Sequence, residues 1–262
     1  MRAYEDPEFE RRLGAHLAEH GLGGSGPLAV EALHGVDQFH TGGPAPILRL
    51  IEHGELRRSD RVLDLGAGLG GVSRLVAGET GSSVLGIDAT RTYLEAARSL
   101  TARCGLQSAI SFVEGDVTEL DLDDGSVDVA LLVHVQVNIE HKADLFRGLR
   151  RVLRPAGKLL LWEIVAGRPG ELPWPMPWSL DGSESHLATI DELRGVVESA
   201  GFAVRRWEDR SEPMFAWARR VQARGSRPSL AGVLLDGHAR ISNLGEAILA
   251  RKVSLVEGVC DA

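Results

Sequence analysis

Along the chain, short apolar runs alternate with longer amphipathic segments. The runs at 61–65, 83–88, 110–114, 127–134 and 157–165 are rich in Val, Ile or Leu, as strands covered on both faces require. Between them, apolar residues recur at helical spacing near 46–57, 71–79, 91–103 and 142–153. Thr189-Ile-Asp-Glu192 is a capping box that opens a helix through Val196 and Val197. Gly201 ends that helix, and Phe202 to Trp207 reads as a sixth strand. Strands alternating with helices predict a parallel α/β sheet.

Three segments stand outside this repeat. Residues 1–45 precede the first strand and are expected to form an N-terminal helical cap on a domain spanning 46–262. Residues 166–188 form a long loop holding Pro173-Trp-Pro-Met-Pro-Trp178, and 210–248 interrupt the last strands with two predicted helices. Ligands of open α/β sheets bind outside the carboxyl ends of the strands. The N-terminal segment and the loop are expected to project from that edge and the insertion to reach toward it, the three together forming the acceptor pocket and its cover.

Composition narrows the class. With 262 residues and 44% hydrophobic content, the chain reads as one domain with additions. No apolar stretch is long enough to span a bilayer, and the charged start, Met1 to Arg11, is not a signal-peptide pattern. Cys104 and Cys260 are too few for a disulfide framework or a zinc site, so a cytoplasmic protein with free thiols is expected. His16, His20, His53 and His238 are read as too scattered for a metal site.

A net charge of −8 disfavours nucleic acid as a partner. Two basic runs, Arg147 to Arg154 and Arg219 to Arg227, pull the other way. The first sits on a helix whose Leu145, Phe146, Leu149, Val152 and Leu153 face inward, so its arginines face solvent. The exposed insertion at 210–248 is a candidate homodimer surface.

Chemistry concentrates in Arg61-Val-Leu-Asp-Leu-Gly-Ala-Gly-Leu-Gly-Gly71, a buried strand breaking into a glycine turn that opens a helix. Gly66, Gly68 and Gly70 permit positive φ and close approach of a ligand, and the next helix presents its N–H groups to the same crevice. Such a unit binds a nucleoside-containing cofactor. Gly66, Gly68 and Gly71 also satisfy the fingerprint of nicotinamide or flavin enzymes. Asp64 shifts the balance, because a carboxylate beside a pyrophosphate is repelled whereas one beside a cationic cofactor head is attracted.

The chain resembles the class I S-adenosylmethionine-dependent methyltransferases over roughly residues 36–208. Asp64-Leu-Gly66-Ala-Gly68-Leu-Gly70 is similar to the first motif of that family, Val84 to Asp88 to its second strand, Val113 to Val117 to its third, and Leu153 to Gly157 to the turn into its fifth. Val36 to Gly43 and His134 to Asn138 look most like the branch acting on small molecules, including quinone, tocopherol and sarcosine methyltransferases and natural-product tailoring enzymes. The resemblance implies a Rossmann-like, seven-stranded, mostly parallel sheet with helices on both faces and helical lid additions. Its last strand, near 251–259, would run antiparallel. It also implies methyl transfer from S-adenosylmethionine to an oxygen, nitrogen or nucleophilic carbon of a small, largely apolar acceptor.

Site residues follow in turn. Gln38, Asp64, Gly66, Ala67, Gly68, Asp88, Ala89, Asp116, Val117, Val133 and His134 are expected around the cofactor. Asp88, a strand-terminal acid about 20 residues after the glycines, can accept ribose hydroxyls; it could also cap the helix starting near Arg91. Asp116 can accept the adenine amino proton or shape the turn beside Gly115. His134 and His40 are the candidate bases, each with an ordinary hydrogen-bonded role as its alternative. Gln136, Asn138, Trp174, Met176 and Trp178 are candidate acceptor contacts, although the two tryptophans could equally pin the loop to the sheet. Two other readings stay open: a nicotinamide oxidoreductase, which lacks a Tyr-x-x-x-Lys pair because only Tyr4 and Tyr93 occur, and a cofactor-binding protein that cyclises or does not methylate.

Overall fold

The apolar runs pair into one seven-stranded sheet of order β3-β2-β1-β4-β5-β7-β6. Its strands are β1 (Arg61–Leu65), β2 (Ser83–Asp88), β3 (Ile110–Glu114), β4 (Val127–Val133), β5 (Leu153–Ala166), β6 (Ala203–Asp209) and β7 (Val253–Asp261). The computed structural model describes residues 3–4, 6–222 and 229–262. Met1, Arg2 and Glu5 of the charged start, and 223–228 of the second basic run, lie outside the described residues.

Strands β1 to β5 are mutually parallel, and β7 runs antiparallel to both β5 and β6. The final strand thus has the expected direction but inserts between β5 and β6. Two strand starts are shifted by two residues or more from the sequence reading. Helix α6 (Lys142–Val152) passes straight into β5, which starts at Leu153 rather than 157 because Val127 pairs with Leu153 before the register slips at Val129. The last strand is displaced to 253–261, with Arg251 in a left-handed turn just before it.

Helices cover both faces. On one, α3 (Pro44–His53), α4 (Gly71–Thr80) and α5 (Arg91–Arg103) bury Ile47, Leu50, Leu75, Val76 and Leu94 against β1, β2 and β4. On the other, α6 and α7 (Ile190–Ser199) bury Leu145, Phe146, Leu149, Leu193 and Val197. Each such side chain contributes about 1.5–3 kcal/mol on burial. The predicted capping box opens α7: the Thr189 hydroxyl accepts from Glu192 N at 3.2 Å, and Glu192 accepts from Thr189 N at 2.8 Å. The α6 arginines point outward, where Arg147 pairs with Asp144 and Arg151 with Asp124.

The additions stack over the carboxyl edge of the sheet. Helices α1 (Phe9–Glu19) and α2 (Val30–Asp37) bury Phe9, Leu13, Leu33 and Val36 in a third cluster with Tyr93 and Leu100 of α5. Helices α8 (Ser211–Gln222) and α9 (Gly237–Leu249) pack on each other and on β7. Arg240 of α9, fully buried, joins these pieces by donating to the carbonyls of Ala3, Met176 and Pro177. Among the described residues no helix is long and apolar enough to cross a membrane.

Candidate active site

The glycine turn is shaped by what surrounds each residue. Gly66 has φ +67°, and a Cβ there would lie 2.5 Å from Val135 Cγ2. Gly71 has Asp37 O at 2.2 Å from its Cβ position, so the third glycine of the fingerprint serves close passage of the backbone ending α2. Gly68 differs from both. At φ +52° its Cβ position meets nothing nearer than Phe39 at 3.9 Å, which leaves an open cradle facing a cavity. Asp88, ending β2, ties the cradle down: its Oδ2 accepts from Gly68 N and its Oδ1 from Thr90 N, both at 2.8 Å. It therefore holds the turn and the approach to α5 together, while its carboxyl still lines the cavity.

That cavity measures about 1350 Å³, beyond the roughly 300–1,000 Å³ of a typical single-ligand pocket. It runs along the carboxyl edge. Gly66, Gly68, Asp88, Ala89, Asp116 and Val117 line the part beside β1, β2 and β3. Gln38, His40, Val133, His134 and Asn138 also reach its wall, as does Trp178 of the long loop.

Five predicted residues do not reach the wall. Asp64 lies beneath the turn, 1% exposed, and accepts the Ser73 hydroxyl at 2.5 Å. Burial raises its carboxyl to about 7, opposed by the Ser73 hydrogen bond, which weakens its service as a fixed anion at neutral pH. Ala67 is buried against the position a Cβ would take on Gly86. Gln136 is fully buried and donates to Ile164 O at 2.6 Å. Trp174 and Met176 pack into the core, Trp174 against Gly182. Even Asn138, on the wall, commits its amide to the carbonyls of Trp178 and Glu184 and accepts from Tyr4 OH. Of the three candidate contacts on the loop, Trp178 alone lines the cavity, beside Pro177.

The two candidate bases stand together. Their rings are edge to face with centroids 6.1 Å apart, and Thr41 Oγ1 lies 3.2 Å from His134 Nε2. His134 follows β4 at φ +57°, a conformation uncommon outside glycine, and this turns its ring into the cavity. His40 lies between Gln38 Oε1 at 2.8 Å and Thr41 O at 3.1 Å. Gln38 donates onward to Asp37, which forms a wholly buried ion pair with Arg74 at 2.9 Å. Burial pushes His40 down to about 4, with the Thr41 carbonyl pulling the other way. Burial, then the proximity of His40, pushes His134 well below the usual imidazole range. Both rings are neutral at pH 7, the form that can take a proton.

Several residues of the site carry no signal in the sequence reading. Tyr4, Tyr93, His34 and Thr41 line the cavity, and the Nε2 of His34 is buried without a partner. Tyr4 and His34 come from the N-terminal segment expected over the pocket, but no local pattern singles out these two residues. Glu163 is different, being an acid inside the apolar run of β5. It is fully buried on the α6 side and accepts from Val135 N at 3.0 Å and Gln136 N at 3.4 Å, bracing the loop that follows His134. Burial raises it to about 8, against those hydrogen bonds and the pull of Lys142.

The histidines of α1 are not scattered in space. His16 and His20 stand one turn apart, and with Glu19 they bring potential ligand atoms within 4.8 Å of one another. His16 Nε2 is already engaged by Ser229 N at 3.1 Å, and His20 Nδ1 lies 2.8 Å from His16 O.

Comparison with known proteins agrees with this geometry. Residues 63–161 match the family described as Methyltransferase domain. Methyltransferase GfsG of Streptomyces halstedii is 29% identical over 182 residues, covering 68% of this chain and 65% of its own. The chain spans between 37% and 65% of the length of the curated relatives it matches. Among solved structures, the [4+2]-cyclase SpnF superposes with a TM-score of 0.70 at 18% identity, covering 96% of this chain and 91% of that one. A geranyl diphosphate methyltransferase in complex with S-adenosylmethionine gives 0.68 at 16% identity, covering 83% and 84%. The matched stretch contains the whole glycine turn, Gly66 to Gly71. Residues 63–161 thus match a methyltransferase domain, and the sheet has the fold of solved S-adenosylmethionine-binding methyltransferases.

Proposed function

We propose that the protein binds S-adenosylmethionine and transfers its methyl group to an oxygen, nitrogen or nucleophilic carbon of a small, largely apolar acceptor. One observation carries this reading: the open cradle at Gly68, tied to the Asp88 carboxyl, shares a single cavity with the neutral His134 ring. The residues suit the cofactor. The backbone at Gly66 and Gly68 offers close approach to its methionine end, with Gln38 nearby. Asp88 has lone pairs left for a ribose diol, and Asp116, Val117 and Ala89 would flank the base. When bound, S-adenosylmethionine supplies an electrophilic methyl on a cationic sulfur.

This chain's own part is alignment, exclusion of water and proton handling. Helices α2, α8 and α9 supply part of the cavity wall and so limit the access of water. His134 can accept a proton from an acidic acceptor group, and Thr41 and His40 hold its ring in place. Transfer of labelled methyl from S-adenosylmethionine to members of a panel of apolar alcohols, phenols and amines tests the reading. Product in at least one case is expected. SpnF shows that this fold also hosts a cyclase, so cofactor binding without labelled product across the panel would favour a non-methylating role.

A further inference from the structure

The cavity divides by chemistry along its length. Its carboxylates, Asp88, Asp116, Glu119, Glu140 and Asp144, all come from the stretch between the end of β2 and the start of α6. The far part lies under the lid helices, which pack on β7 at the other side of β4. There the walls are Trp178, Trp217, Ala218, Ile241, Leu244 and Ile248, with Ile164 of β5 beneath. Among the described residues no Lys or Arg lines any part of the cavity. Arg240, the buried cation nearest in the lid, spends its donors on backbone carbonyls. His134, placed after β4, stands between the two parts, and the lobe itself carries only the neutral hydroxyls of Ser229 and Ser242 beside its apolar walls.

From this arrangement we propose that the second substrate is an uncharged, predominantly apolar molecule that presents one neutral polar group, such as a hydroxyl, to His134. The inference rests on the methyltransferase reading of the same site and specifies its acceptor. An anionic acceptor would leave a charge buried without a counter-ion and facing the carboxylates of the neighbouring part, and both effects weaken binding. A cationic acceptor would find no carboxylate in the lobe. The acidic part suits a positively charged donor instead. An apolar chain gains from removal of its surface from water against Trp178, Leu244 and Ile248.

The lobe offers a clean perturbation. Gly245 of α9 lines the cavity, and a Cβ there meets nothing within 4 Å. Gly245→Leu therefore adds an apolar side chain at the cavity wall from a Cβ position that is free, and favours the helix. The test uses the full chain. Calorimetry with S-adenosylhomocysteine first establishes the cofactor site, and its failure would count against the methyltransferase reading itself. Tryptophan fluorescence then follows titration with decan-1-ol, decanoate, decyl phosphate and decylammonium, with and without S-adenosylhomocysteine. The alcohol is expected to bind at least about ten-fold more tightly than each ion, a difference of roughly 1.4 kcal/mol. Gly245→Leu should weaken the alcohol about ten-fold and leave S-adenosylhomocysteine within about two-fold. Any ion binding as tightly as the alcohol, or an alcohol affinity untouched by Gly245→Leu, overturns the proposal while leaving the cofactor result intact.

Discussion

Glu163→Gln isolates a buried acid whose protonation opposes folding as pH rises. Glu163 is fully buried on β5, its Oε1 takes two backbone N–H groups, and its Oε2 is buried without a partner. Its carboxyl rises from the ordinary 4.5 to about 8, chiefly through desolvation. Lys142, across from it on α6, directs its amine to the carbonyls of Ile139 and His186 at 2.7 and 2.5 Å, so it makes no direct ion pair with the acid. Between about pH 4.5 and 8 the folded protein holds a proton on Glu163 that the unfolded chain has lost. Stability must then fall with rising pH, by at most about 1.4 kcal/mol per pH unit from this group. Glutamine keeps the shape and the acceptor oxygen and removes the titration. The variant should match wild type near the lower end of that window. Its advantage should then widen by on the order of 1 kcal/mol per pH unit. Urea unfolding of both proteins at stepped pH reads this directly, and other carboxylates such as Asp64 cancel in the difference. Parallel pH curves, or a wild type that gains on the variant as pH rises, would refute the neutral acid and indicate an ionised Glu163 compensated by Lys142.

Other perturbations follow from the same geometry. Gly66→Ala should lose about 1–3 kcal/mol in urea melts, because a positive φ and contact with Val135 act together; Gly78→Ala, helical with open space, should gain about 0.5–1 kcal/mol. Asp37→Asn leaves the fully buried Arg74 without its counter-ion and should cost about 3–5 kcal/mol of stability. Where the acceptor must lose a proton, His134→Gln should lower kcat about 10²–10⁴-fold. Wild-type activity in that case should fall only at pH well below 6.5, since the His134 pKa is lowered. A wild-type acid limb at or above 6.5 would contradict the buried, neutral ring.

Much of the fold was legible because both-face burial writes itself into sequence as apolar runs, and β1 to β4 appear close to where those runs lie. The insertion of β7 between β5 and β6 was not legible: strand order is a long-range pairing, and no local pattern encodes it. The cradle was visible in its glycines. Their separate duties were not, since Gly71 answers to the backbone of Asp37 and only Gly68 opens to the cavity. Asp64 drew notice as a charge beside the turn, yet burial against Ser73 decides its state. The loop of Trp174, Met176 and Trp178 alternates in sequence like a displayed aromatic set, but contacts with Gly182 and the sheet turn two of the three inward. Glu163 did leave a signal, an acid among Leu159 to Val165, that periodicity alone does not interpret.

The Gly68–Asp88 cradle as a grip for S-adenosylmethionine is tested most directly by calorimetric titration of wild type and Asp88→Ala with that ligand. Saturable binding by wild type is expected, weakened in the variant by about 1.5–3 kcal/mol through loss of charge-assisted hydrogen bonds, with far-UV circular dichroism unchanged. No binding by wild type, or equal affinity in a folded Asp88→Ala, would contradict it.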